Sequence, residues 1–143
     1  MWIYQNKEVT EVPEKAIGFL YKIIHIPTGM WYIGRKMLYS TKIKITKGKK
    51  TKIKTESDWK DYWSSSDEIK SLLEKEGHQN FKREILIFCE TKAQMLYGEE
   101  AALYFTGSMF DPLCFNSNIR TKIFKKWFTK TPNFHDELIK SIK

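Results

Sequence analysis

The sequence predicts an α+β fold: a small, mainly antiparallel three-stranded sheet flanked by helices, with a basic insertion after the first hairpin. Three observations predict it. The runs Ile17–Ile26 (IGFLYKIIHI) and Met30–Leu38 (MWYIGRKML) are rich in β-branched and aromatic residues, and the turn signal Pro27-Thr28-Gly29 joins them into a hairpin. Phe81–Cys89 (FKREILIFC) has the same character and supplies a third strand. Capped helical patterns lie on either side of that third run.

In chain order, residues 1–16 are mixed and polar, and Pro13 breaks any helix there. After the hairpin, KIKITKGKKTKIK alternates lysine with Ile and Thr, which suits two exposed strands turning at Lys47-Gly48, a ribbon or arm with no apolar face large enough for a core. Ser57-Asp58-Trp59 with Tyr62-Trp63 starts a helical stretch that breaks at Ser64-Ser65-Ser66. A helix follows over Asp67–Glu76, with Gly77 placed as a C-cap glycine. Thr91 and Gln94 form a T-x-x-Q capping box that opens a helix from Lys92 to about Thr106. Asp111-Pro112 marks a loop, Cys114–Ile119 a short extended piece, and Asn133–Lys143 a final helix. No repeat or linker divides the chain. Residues 1–143 therefore read as one domain, with a core over 17–119, a basic arm over 39–56 and a basic, helical tail over 120–143.

A chain of 143 residues, 41% hydrophobic and 15% aromatic, can bury a core without metal or disulfide staples. No run approaches the roughly 20 apolar residues of a membrane span, and Met1–Thr10 lacks the pattern of a signal peptide. Cys89 and Cys114 both have apolar neighbours and read as buried thiols of a reducing, cytoplasmic compartment, a host's cytoplasm if the chain is phage-encoded. Charge is more informative. Lys and Arg number 25 against 17 acids, a net charge of +8. The excess concentrates in Lys42, Lys44, Lys47, Lys49, Lys50, Lys52 and Lys54, with no acid between Thr41 and Thr55. A second block holds Arg120, Lys122, Lys125, Lys126 and Lys130 among Phe124, Trp127 and Phe128. Such clustering is the footprint of a polyanion binder, and a solvated, solubilising face is the bland alternative.

The familiar catalytic patterns are missing. No Cys/His cluster has zinc spacing, there is no P-loop and no G-x-S-x-G, and His25, His78 and His135 are scattered. The hairpin is different. It carries Gly18-Phe19-Leu20-Tyr21 on one strand and Tyr32-Ile33-Gly34 on the next, followed at once by Arg35-Lys36. This resembles the signature of the GIY-YIG endonucleases, in which paired tyrosines on adjacent strands line one face of a three-stranded sheet. The second half matches letter for letter, whereas the first has one residue added before Tyr21. Trp59-x-x-Tyr62 followed by Ser65-Ser66 resembles a W-x-x-Y-x-G-S-S stretch of phage-type, homing-endonuclease-like members, with Ser64 where the glycine stands. Gly77–Leu86 (GHQNFKREIL) and Phe115-Asn116 resemble later segments, so the likeness runs in order from about Gly18 to Asn118.

The resemblance implies a DNA endonuclease that hydrolyses phosphodiester bonds with one divalent metal, Mg²⁺ or Mn²⁺, per active site. It implies a helix glutamate as the metal ligand, and two candidates stand side by side. Family spacing aligns Tyr97-Gly98-Glu99 and selects Glu99. A helical wheel with Leu96, Tyr97, Leu103 and Tyr104 as the apolar face instead puts Glu100 at its centre, where an unpaired carboxylate costs several kcal/mol unless a cation compensates it. Tyr21 is expected to activate water once a cation lowers its pKa from near 10. Arg35 or Lys36 would supply that charge and pair a phosphate oxygen, Tyr32 and Tyr62 would orient water and phosphate, and Asn116 would support the site from behind. The lysines of the arm, with Lys125 and Lys126, would grip DNA; no membrane partner is indicated, and a homodimer is left open because one metal site cuts one strand. The alternatives are a non-catalytic nucleic-acid-binding module on the same fold and a basic RNA-binding accessory protein.

Overall fold

The computed structural model describes residues 1–119 and 125–142. The basic positions Arg120 and Lys122, with Phe124, lie outside the described residues, as does Lys143. The elements are β1 (Trp2–Tyr4), β2 (Lys7–Glu8), β3 (Gly18–His25), β4 (Trp31–Met37), β5 (Tyr39–Thr46), β6 (Lys49–Glu56), α1 (Asp67–Glu76), β7 (Phe81–Cys89), α2 (Lys92–Phe105) and α3 (Phe134–Ile142).

The fold is α+β, but the main sheet is larger than three strands. Its order is β2-β1-β7-β3-β4, with β1 parallel to β7 and the other pairs antiparallel. The two extra strands come from the N-terminal segment, which has no alternation to betray them. Trp2 holds them in place: it is 2% exposed and packs edge-on against Phe19 and Tyr21, at 4.9 and 5.4 Å between ring centroids. Gln5 and Asn6 close the β1–β2 turn, both with positive φ as a two-residue hairpin of this kind requires.

Alternation along β3 and β7 sends side chains to both faces, and each face is covered. Phe19, Tyr21, Ile23, Phe81 and Ile85 pack with Trp2, Trp59 and Ile69 of α1. Leu20, Ile87 and Cys89 pack with Met95 of α2 and with Phe134 and Leu138 of α3. Burial pushes the Cys89 thiol up to about 12, while Cys114 is half-buried, and both are free. The approach of α2 to the sheet is close because Gly98 has no side chain: a Cβ there would meet Leu20 Cδ1 at 2.4 Å.

The caps follow the sequence. Thr91 accepts from the Gln94 amide at 3.1 Å, but the Gln94 side chain reaches back to the amide of Glu90 rather than that of Thr91. Ser66 accepts from Ile69 N, and Gly77 closes α1 at φ 80°. The helical stretch expected from Ser57 is only a 3-10 turn at Trp59–Asp61, because the indole N–H groups of Trp2 and Trp59 and the Ser57 hydroxyl pin this segment to its neighbours. The lysine run is the separate two-stranded ribbon β5–β6, turning at Lys47 and Gly48 with φ 52° and 76°. Among the described residues, no helix is long and apolar enough to cross a membrane.

Candidate active site

The site forms along β4, the edge strand of the sheet. Tyr21 of β3 stands opposite Gly34 of β4, and Tyr32 stands opposite Ile23, so both tyrosines share one face. Their rings are 6.2 Å apart, and Tyr62 meets Tyr21 edge-on at 6.0 Å. Tyr21 is 1% exposed, and its hydroxyl meets those of Tyr62 and Ser64. The Tyr32 hydroxyl lies 3.4 Å from that of Ser65. Five hydroxyl groups therefore gather on this face, with Tyr21 the deepest.

Ser64 and Ser65 were not expected as members of the site. The signal for them was Tyr62-x-Ser-Ser itself, which places two hydroxyls just beyond the third tyrosine. Ser64 occupies the position of the glycine in the resembled stretch, and its φ is 140°, a conformation that favours glycine. It is 3% exposed and accepts from the Ser66 amide at 2.8 Å, which offsets part of the strain.

The opposite face of β4 carries the charged pair. Arg35 shares its face with Leu20 and reaches α2, where its Nε lies 3.5 Å from Glu99 Oε2. The buried stripe of α2 is Met95, Gly98, Ala102 and Leu103. Glu99 lies four residues after Met95 and four before Leu103, hence on the sheet-facing side. The wheel built on Tyr97 and Tyr104 differs from the helix as placed: Tyr104 is 70% exposed, and Tyr97 packs on Phe128, Phe134 and His135 rather than on the sheet. Glu100 is accordingly not central, although its Oε1 is buried without a hydrogen-bond partner.

Lys36 lies on the tyrosine face, opposite Phe19. Its ammonium pairs with Asp58 at 2.5 Å and covers the Tyr62 ring at 4.0 Å. Burial, with Tyr32 and Tyr62 close by, pushes the Tyr21 phenol far above its ordinary range. Tyr32 is also raised, by burial first and then by the negative charge of Glu99, against a lowering hydrogen bond from Ser65. That coupling links the two faces across the strand edge. Burial raises Glu99 as well, with Arg35 acting against it and Glu100 with it. The expected cation beside Tyr21 is thus engaged elsewhere: Arg35 on Glu99 and Lys36 on Asp58.

Two residues brace this edge. Asn116 clamps Ile33, accepting from its amide at 2.9 Å and donating to its carbonyl at 2.8 Å. Arg83, 4% exposed, lies between Trp2 and Trp63 and donates to the carbonyls of Tyr62 and Lys60 at 2.7 and 3.1 Å. Burial lowers the Arg83 guanidinium to about 10, still charged at neutral pH. The arm lysines are all exposed on β5–β6, whereas Lys125 sits beside Tyr97, about 200° around α2 from Glu99. Lys126 is exposed on the same 3-10 turn as Lys125.

No cluster of three or more His, Cys, Asp or Glu able to hold a metal occurs among the described residues. What is present is one half-buried glutamate on a rigid helix, with a second carboxylate oxygen orphaned beside it. This donor set fits a hard divalent cation that keeps most of its water, and not a dehydrated cage.

A family model described as "Putative endonuclease segE, GIY-YIG domain" matches residues 2–119. The match begins at residue 2 and so takes in β1 and β2 as well as the hairpin, the arm and α2. Comparison with curated proteins and with solved structures found no match.

Proposed function

The chain belongs to the GIY-YIG endonuclease family, and from that membership we propose that it is a divalent-metal-dependent DNA endonuclease of the phage type, hydrolysing phosphodiester bonds at the edge of β4. The observation that carries this reading is the coupling across that edge: a cluster of tyrosine hydroxyls on one face, an Arg–Glu pair on the other, and Gly34 between them. The lysine ribbon begins two residues after β4 ends, which brings a polyanion grip to the same edge. In this reading, residues 17–119 are the nuclease core and 39–56 its arm.

The reaction forms a bond from water oxygen to phosphorus and breaks the bond to the 3′ oxygen. Arg35 is suited to pair a non-bridging phosphate oxygen, since its guanidinium is held at the strand edge by a single carboxylate contact. Tyr32 and Tyr62 orient water and phosphate through their hydroxyls. Tyr21 holds its proton in the arrangement described, so it serves as the water's activating group only when positive charge is added to the site. A divalent cation, Mg²⁺ or Mn²⁺, held by Glu99 with water in its other positions, would supply that charge and neutralise the phosphate as a Lewis acid. Asn116 and Arg83 act from behind, fixing β4 and the Tyr62 segment. One such site cuts one strand, so a double-strand break requires a second protomer or a second visit.

The test is incubation of supercoiled plasmid with Mg²⁺, Mn²⁺ or EDTA. Nicked or linear product only with metal is expected. Binding without cleavage under every metal would replace this reading with a nucleic-acid-binding module.

A further inference from the structure

Beyond Tyr39 at its root, the ribbon β5–β6 contributes nothing to the core. Every residue from Ser40 to Glu56 is exposed, including Ile43 and Ile45 at 63% and 68%. A hairpin kept at this length with no packing to reward it needs another reason to exist, because isolated two-stranded hairpins are marginal in water. Its register supplies one. From Thr41↔Lys54 through to Thr46↔Lys49, every cross-strand pair matches one lysine with one isoleucine or threonine. No two lysines stand directly opposite, where like charges would repel. The lysines are thereby divided between the two faces, with Lys42, Lys44 and Lys49 on one and Lys50, Lys52 and Lys54 on the other.

We propose that this ribbon lies lengthwise in the major groove of B-form duplex DNA, its long lysine side chains reaching the phosphate backbones on either side and the Ile/Thr positions of the inward face approaching the base edges. The proposal rests on the nuclease reading for what the bound duplex is then presented to. Its dimensions agree: eight residues extend for about 27 Å, and a two-stranded ribbon fits a groove about 12 Å wide. Charge complementarity selects the partner, since the segment between Thr41 and Thr55 has no acid to repel phosphate. The β-branched residues between the lysines are short, so the backbone can approach the groove floor, and a thymine methyl or a base acceptor is a fitting neighbour for Ile or Thr.

The ribbon root is braced to the catalytic edge. Ser57 donates its amide to Leu38 O and its hydroxyl to Met37 O, at 2.9 and 2.6 Å, and Lys54 covers the Tyr39 ring at 3.8 Å. A concavity of 830 Å³ between this root and α2 is lined by four basic residues, Arg35, Lys36, Lys42 and Lys92, against two acids, Glu56 and Asp58. A duplex seated on the ribbon would thus run past Arg35 and the edge of β4. A-form RNA offers no equivalent seat, because its major groove is deep and narrow.

The experiment uses the full chain in EDTA, so that binding is read without cleavage. Affinity is measured for a DNA duplex and for an RNA duplex of the same sequence, across a salt series. Dimethyl sulfate then probes guanine N7 in the major groove and adenine N3 in the minor groove of the bound DNA. The comparison variants are K44Q/K50Q/K52Q and a chain in which residues 41–54 are replaced by Asn-Gly, a two-residue turn closing the retained Ser40↔Thr55 pair. Expected are guanine N7 protection with adenine N3 left reactive, and preference for DNA over RNA by about tenfold or more. The triple variant should lose about 3 units of the salt slope at one phosphate per lysine, and the shortened chain should lose the preference. Protection of adenine N3, equal binding of the RNA duplex, or unchanged affinity of the shortened chain would overturn the proposal. An intact guanine footprint in a protein that never cuts with metal would sink the nuclease reading and uphold the groove assignment.

Discussion

The Tyr21 side chain lies against the backbone of Gly34: a Cβ on Gly34 would stand 2.5 Å from Tyr21 Oη and 2.6 Å from its Cζ. The tyrosine on one strand thus requires the glycine on the next. Gly34→Ala should displace the ring, costing about 1–3 kcal/mol as overpacking does, and should abolish cleavage. The same stability cost should persist in a Tyr21→Phe background, because Cζ remains. Denaturant melts of the four proteins test this, and a Gly34→Ala variant as stable as its parent would contradict the packing described.

Arg83 offers a second test. Its guanidinium reaches two carbonyls of the Tyr62 segment from between two indoles, so its loss should loosen a site residue it never touches by side chain. Arg83→Met should lower stability by about 2–3 kcal/mol through the lost charged hydrogen bonds, and should reduce turnover more than DNA affinity. Equal loss of both would indicate general unfolding.

Glu99 carries a pH signature. Burial holds its pKa above the ordinary 4.5, so the folded state favours the protonated carboxyl and stability is lost as pH rises from 4.5 through the raised value. In metal-free protein, Glu99→Gln should therefore melt higher than its parent at neutral pH and no higher below that window. Mg²⁺ should raise the melting temperature of the parent and not that of the variant. A Mg²⁺ response that survives Glu99→Gln would move the metal to another ligand.

Asn116 should behave as a brace. Asn116→Ala removes two bonds to Ile33 and should cost about 2 kcal/mol, slowing cleavage while leaving the salt dependence of DNA binding unchanged. A changed salt slope would place Asn116 on the substrate instead.

Much of this was legible from residue order. The hairpin, the third strand, the capped helices and the ribbon all announce themselves through period-two runs and turn residues, with ends shifted by a residue or two: Ile17–Ile26 becomes Gly18–His25. What was hidden depends on distant partners. Strands of three and two residues at the N-terminus have no period to read, and what holds them to the sheet is pairing with β7 and the packing of Trp2 on Phe19 and Tyr21 and of Tyr4 on Phe88. The face of α2 that meets the sheet differs from the wheel because Tyr104 lies outward and Tyr97 packs on Phe134 of α3 and on Phe128, whereas Gly98 marks the contact with the sheet. The tyrosines and Arg35-Lys36 could be picked out, but that Arg35 crosses to Glu99 while Lys36 stays with Tyr62 follows from strand register, which a sequence does not display.

The most direct measurement is supercoiled plasmid cleavage in Mg²⁺ by the parent, Tyr21→Phe, Glu99→Ala and Glu100→Ala, with folding checked by melting temperature. The edge-strand site predicts that the parent cuts, that Tyr21→Phe and Glu99→Ala are inactive though folded, and that Glu100→Ala retains activity. A dead Glu100→Ala beside an active Glu99→Ala, or undiminished cutting by Tyr21→Phe, would contradict it.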